Sequence, residues 1–406
     1  MLAEVLRRVE ARREPMIELL QALVRIPSPT FGEGNLAAFV DDRLRAMGLS
    51  TSTNALGDVT GVANAAQDGP AFLLNTHLDQ AEPGDMDAPY SGDRRDGSEF
   101  GVSGEVVYGR GTNGQKASLA AMIHAVEAVL NLGIPLRRRF AINAGVMEEC
   151  GGHLSPRYLM ERDRFPVNAV LCGEHTDLRP VNRQRGMLHL HVGIQGIGAH
   201  AAAPEGSSSA FVGMARVALA LERLKEALPA SETYGKGLVS LNRVSVSPNV
   251  INAIPDWCEG VVDIRQPASV SREEIVRQVK MAIAEAVAQQ TGLKHTAEIR
   301  IRRVRSYTGL EESSDGGMFP FYTPEDDPLV TALTESVAEV TQRRPEPQLW
   351  SISSEAGYFS TVAGLPVVCY GPGEDRFTHN RNEHVKVEDV VTAAKVYASM
   401  IHKLCC

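Results

Sequence analysis

Over residues 3–24 apolar side chains recur at helical spacing, beginning Ala3-Glu-Val-Leu, and the pattern stops at Ile26-Pro27-Ser28-Pro29. A second amphipathic period covers Leu36–Met47. Ala71–Asn75, Phe140–Val146 and Val167–Cys172 are short unbroken apolar runs, the pattern of strands buried on both faces. Ser118–Leu132 is rich in small residues and reads as a helix that follows a Gly-rich turn. Strands alternating with helices predict an α/β sheet, much of it parallel.

The pattern changes after Arg185-Gly186. Leu188–Gln195 and Gly237–Ser247 alternate as half-exposed strands do. Trp257–Arg265 reads as a further strand, and Thr296–Arg303 as one with basic residues on one face. Ser209–Leu228 and Ser271–Thr291 are helical in period. Two helices on a mostly antiparallel sheet form the expected α+β insert, residues 187–304, inside a domain built from 1–186 and 305–406. The second part of that domain is expected to hold a crossing loop at Ser306–Pro324 and a helix at Asp327–Thr341. A strand at Leu365–Tyr370 and a helix from Val387 to Leu404 follow.

The 406 residues carry a net charge of −9, which gives no attraction to nucleic acid or to an anionic membrane. Met1–Arg13 lacks the apolar core of a secretory signal, and no run approaches the roughly 18 apolar residues of a membrane span. Cysteines at 150, 172, 258, 369, 405 and 406 show neither zinc-knuckle spacing nor a disulfide framework. A cytoplasmic protein that binds neither membrane nor nucleic acid is expected.

His77, Glu148, Glu149 and Glu174 each follow the C-terminal end of a predicted strand, where open α/β sheets bind ligands. In His77-Leu-Asp79 the carboxylate is placed to fix the imidazole tautomer for a metal. Glu148-Glu149 pairs a candidate ligand with a candidate general base. Glu174 and His379 complete a nitrogen and oxygen donor set suited to zinc, manganese or cobalt. Each motif alone also suits a structural histidine or a solvated turn; their order and spacing together single them out.

His77-x-Asp79, Gly109-Arg-Gly111…Lys116, Glu148-Glu149 and Gly173-Glu174 resemble the aminoacylase, carboxypeptidase-G and acetylornithine deacetylase family of metallohydrolases. His200-Ala-Ala-Ala-Pro204-Glu-Gly206, Asn252-Ala-Ile-Pro255-Asp256, Asp263-Ile-Arg265 and His379-Asn-Arg-Asn-Glu383-His-Val385 extend the resemblance over nearly the whole chain. It implies a zinc-aminopeptidase-like catalytic domain with an inserted α+β lid and dimerisation domain, in a homodimer or larger homo-oligomer. His77 and Glu174 would ligate one metal, Glu149 and His379 another. Glu148 would be the base that deprotonates the attacking water, and Asp79 would orient His77. His200 would stabilise the developing oxyanion and Asn252 would contact substrate, both commonly from a partner subunit.

One position departs from that family, whose bridging aspartate is here Gly114. Two dications about 3.5–4 Å apart repel by on the order of tens of kcal/mol, so loss of the bridge should weaken one of them. One divalent transition metal per subunit (Mn, Zn or Co) is expected, with Asn113 or Gln115 as poor amide substitutes. The expected activity is hydrolysis of a C–N bond in a small carboxylated substrate. That substrate is either an N-acyl amino acid or dipeptide, or an activated aromatic acid, as in the 5-nitroanthranilate aminohydrolase branch. A non-catalytic binding homologue is the reading from another class.

Arg110, at the start of a helix, either assists a substrate carboxylate or fixes its own turn. Tyr358 and Tyr370 are candidate pocket aromatics, and Arg265 an internal salt-bridge partner. Glu355 stands where relatives usually carry aspartate. For His153, His175 and His384 an ordinary hydrogen-bonded surface histidine is the commoner reading, a ligand the rarer.

Overall fold

The computed structural model describes residues 1–267 and 269–406. The periodic N-terminal segment is two helices, Leu2–Glu10 and Arg13–Arg25. Pro15 explains the break: it has no N–H to bond Ala11 and its ring crowds that carbonyl, so it is tolerated only in a first turn. Pro27 ends the second helix.

A nine-stranded mixed sheet forms the centre of the larger unit. Four strands run parallel in the order Phe140–Gly145, Ala71–His77, Val167–Cys172, Val367–Cys369. They are hydrophobic on both faces because helices cover both faces. Gln115–Leu130 is buried along nearly its whole length and packs against Val387–Cys405. No helix among the described residues is long and apolar enough to cross a membrane.

A second core lies within residues 188–287. Strands Leu238–Ser247, Trp257–Gln266, Gly186–Gln195 and Lys294–Glu298 pair antiparallel in that order, and helices Ala210–Ala227 and Arg272–Ala288 cover one face. Leu188, Leu190, Val192, Val262 and Ile264 point into this core. The intervening residues Met187, His189, His191, Val261, Asp263 and Arg265 face the other way and line a cavity shared with the larger unit.

Two expectations need correction here. The basic segment 296–303 is not one strand: Lys294–Glu298 joins the insert's sheet, and Arg302–Arg305 forms a hairpin with Glu311–Ser314. The segment expected as a crossing loop therefore contains a strand, and Phe321–Tyr322 adds another at the edge of the large sheet.

Candidate metal centre

His77, Glu148–Glu149 and Glu174 follow three adjacent parallel strands, with His77 in the middle. Asp79 holds this group together. Its Oδ1 lies 3.1 Å from His77 Nδ1 and accepts the Glu148 N–H at 3.0 Å. Its Oδ2 accepts the Glu149 N–H at 3.0 Å and the Thr30 hydroxyl at 2.9 Å. One buried carboxylate thus orients the imidazole and fixes the backbone of the two glutamates.

The turn before helix Gln115–Leu130 is held differently. Glu383 Oε1 accepts the N–H groups of Gly111 (2.7 Å) and Asn113 (3.2 Å), while Arg110 pairs with the other carboxylate oxygen. Arg110 is buried and paired with Glu383, which holds the turn, and it also borders the cavity over the strand ends. The Asn113 amide is equally committed, bonding the Glu374 N–H and carbonyl and the Thr378 hydroxyl. Gln115 Nε2 donates to the Asp79 carbonyl at 3.1 Å. The Asn113 oxygen is thus taken, whereas Gln115, whose Nε2 makes that bond, borders the cavity.

A cavity of about 1050 Å³ opens over these strand ends. Its floor carries His77, Glu148, Glu149, Glu174, Asp375 and His379. His189, Arg243, Arg265, Arg300 and Arg302 also line it, with Arg302 bonded to the Cys150 carbonyl at 2.8 Å. Arg265 is bonded twice to Asp263, at 2.9 and 3.1 Å, as an internal pair.

The floor is crowded with negative charge. Burial, then the charges of Glu149 and Asp375, raise Glu174 to about 7 against the pull of His77. Burial drives Glu148 well above the usual carboxylate range, with Glu174, Glu149 and Glu355 adding to the rise. Burial alone would lower His77, but Glu148, Asp79 and Glu174 outweigh it and hold the imidazole well above its ordinary value. His379 is raised first by its 3.1 Å hydrogen bond to Glu149.

These donors suit a divalent ion: imidazoles and carboxylates at one cavity floor, with carboxylates that hold protons for want of positive charge. As they stand, no group of three or more His, Cys, Asp or Glu side chains among the described residues is close enough to hold one. They face one another in pairs: His77 with Asp79, Glu149 with His379, and Glu174 with His175.

His200 and Asn252 lie apart from this cavity. Their side chains are 3.4 Å from each other on the exposed edge of the insert. Tyr370 does not reach the cavity either. It is fully buried against Tyr397 in the main core, so the expectation of a substrate contact is corrected. Tyr358 bonds Glu161 and is likewise buried. His153 is buried and accepts the Phe319 N–H at 2.7 Å, while His384 packs against Phe100 and Phe377. Both are structural, though neither is on the surface. The cavity aromatic is Trp350, which sequence reading missed although it is one of only two tryptophans.

The sequence pattern of peptidase family M20/M25/M40 matches residues 73–403. Escherichia coli (strain K12) has a relative, the uncharacterised protein YgeY, that is 24% identical over 404 residues, covering 98% of this chain and 96% of YgeY. A succinyl-diaminopimelate desuccinylase of Alkalilimnicola ehrlichii is 26% identical over 406 residues, covering 96% of this chain and 98% of that one. The structure of a Staphylococcus aureus tripeptidase superposes with a TM-score of 0.75 at 18% identity, over 96% of this chain and 97% of that one.

Proposed function

The chain belongs to peptidase family M20/M25/M40, and from that premise we propose that it hydrolyses a C–N bond of a small carboxylated substrate at an altered, single-ion site. Metal-dependent hydrolysis of C–N bonds comes with the family; the substrate class and the single ion are the proposal. His77, Glu149, Glu174 and His379 are the residues available to hold metal. A divalent ion bound there supplies Lewis acidity and lowers the pKa of water toward about 7.

The observation that carries the reading is the placement of Glu148. Asp79 pins its backbone next to His77, and its carboxyl faces the cavity in surroundings that raise its proton affinity. Ionised beside a bound cation, that carboxylate would take a proton from the attacking water and return it to the leaving nitrogen. Asp79 holds the His77 ring in one tautomer during this exchange. Arg243, which lines the cavity and has no salt bridge among the described residues, is the cation offered to the substrate carboxylate, with Arg302 beside it on the Cys150 carbonyl. His200 and Asn252 complete the oxyanion and substrate contacts of a neighbouring subunit's site in a homodimer or larger assembly.

Two substrate types fall within this activity. N-acyl amino acids and dipeptides suit the family's usual amide chemistry. Trp350 at the cavity wall favours an aromatic acid such as 5-nitroanthranilate, whose electron-poor ring offsets the loss of a second Lewis acid. The test is amine release from a panel of N-acyl amino acids, dipeptides and nitro-aminobenzoates, with Glu148→Gln as control. Equal turnover by the control on every substrate cleaved would sink the assignment of Glu148.

A further inference from the structure

A Cβ on Gly114 would lie close against His175, 3.1 Å from Nδ1 and 3.7 Å from Cγ, so the imidazole would have to give by a few tenths of an ångström. Gly373 makes room from the other side, since a Cβ there would lie 3.1 Å from the His175 Cβ and 2.6 Å from Asn113 Oδ1. The ring therefore lies against Gly114, where a side chain is lacking, and Gly373 leaves room beside its Cβ.

We infer that His175 is a metal ligand taking over from the missing bridging carboxylate, and that the single ion is held by His77, Glu174 and His175. The inference rests on the metal-hydrolase reading and decides which half of the site keeps its ion.

His175 is 8% exposed, and among the described residues its Nε2 is buried without a hydrogen-bond partner. Nδ1 faces Glu174, 3.9 Å from Oε2, and the ring lines the same cavity as His77. Strand register supports the grouping. Asn75 pairs with Cys172, so two residues further on His77 stands beside Glu174, with His175 next in the chain.

The far side of the ring faces a carboxylate. Nε2 faces Asp375, 3.7 Å from Oδ1. Asp375 is itself held by Trp350 Nε1 and by the Ser351 hydroxyl, both at 3.0 Å. Trp350 also packs its edge against the imidazole at 5.0 Å. At 3.7 Å this carboxylate is within ion-pair reach of the imidazole without bonding it, whereas Asp79 bonds His77 at 3.1 Å.

This donor set explains why one ion suffices. Two imidazoles and one carboxylate with an open position form a common catalytic zinc set. A neutral imidazole offers one lone pair and cannot span two ions as a carboxylate does. Glu149 and His379 are left bonded to each other at 3.1 Å, and the His379 side chain is 55% exposed.

The test is metal binding by the full-length protein, stripped of metal and dialysed against buffered Mn, Zn or Co, with bound ions counted by elemental analysis. The expected result is one ion per subunit in the wild type. His175→Ala should bind at least ~100-fold more weakly, since even an outer partner of a ligand is worth about 10–100-fold. Asp375→Asn should weaken binding by about 10–100-fold and serves should His175→Ala fail to fold. His379→Ala should keep its ion at near wild-type affinity. Unchanged binding in folded His175→Ala and in Asp375→Asn, loss of the ion in His379→Ala, or two ions in the wild type would overturn the inference alone. A wild type that binds no transition metal would overturn the hydrolase reading with it.

Discussion

Asp79 Oδ1 lies 3.1 Å from His77 Nδ1, and that contact is the hinge of the site because the same carboxylate also receives the Glu148 and Glu149 N–H groups. Asp79→Asn replaces one acceptor oxygen by a donor and sets it against at least one of those N–H groups. Metal affinity should fall about 10–100-fold, the range for an outer partner of a ligand. Equilibrium dialysis checks this; unchanged affinity would mean that His77 needs no orienting carboxylate.

Glu148→Gln keeps size and hydrogen bonding but cannot hold the transferred proton. kcat should drop by about 10²–10⁴, the usual worth of a positioned acid–base group, while bound metal stays constant. A parallel loss of metal would reassign Glu148 as a ligand.

His200 and Asn252 lie outside the cavity of their own chain, so the proposed oligomer makes a mixing prediction. His200→Ala and Glu148→Gln should each be nearly inactive. Unfolded and refolded together in equal amounts, they should regain about a quarter of wild-type activity, because random pairing gives half mixed dimers with one intact site each. No recovery, with mixed dimers demonstrated, would place His200 outside the partner's site.

Glu355 carries a pH signature. Its carboxyl is buried, with only a 3.3 Å bond from Asn75 to Oε2 and none to Oε1. Burial raises it to about 8 from an ordinary 4.5. The folded chain thus keeps a proton that the unfolded chain releases. The stability this adds is fully present below pH 4.5 and is lost as pH rises to about 8. A tenfold change in proton affinity is worth about 1.4 kcal/mol, so the loss amounts to a few kcal/mol. Asp58, raised to about 6, and Glu33, raised to about 7, act in the same direction. In metal-free protein, Glu355→Gln should make the fall in unfolding free energy over this window visibly shallower. Identical slopes would show that Glu355 ionises freely in the folded chain.

The strand ends were legible because an apolar run followed by a polar residue states both burial and position: Asn75-Thr-His77, Gly145-Val-Met-Glu148 and Cys172-Gly-Glu174 each did so. The insert's sheet was legible for the same reason, since the alternation from Leu188 to Ile194 survives as buried core. What stayed hidden depends on partners distant in the chain. Arg110 pairs with Glu383, 273 residues away. Tyr370 resembles a pocket aromatic until Tyr397 covers it. His175 resembles a surface histidine because nothing in its local sequence shows that its ring lies against Gly114, or that Asp375 faces its far side. Pro15 is a signal present in the sequence and easily underweighted: it divides what the hydrophobic period alone presents as one helix.

A metal titration of stripped protein, followed by C–N bond cleavage on the substrate panel, bears most heavily on the single-ion hydrolase. No turnover is expected without metal, and activity should rise with added Mn, Zn or Co and saturate at one ion per subunit. Full turnover in metal-free protein, or a chain that takes up no transition metal, would rule that enzyme out.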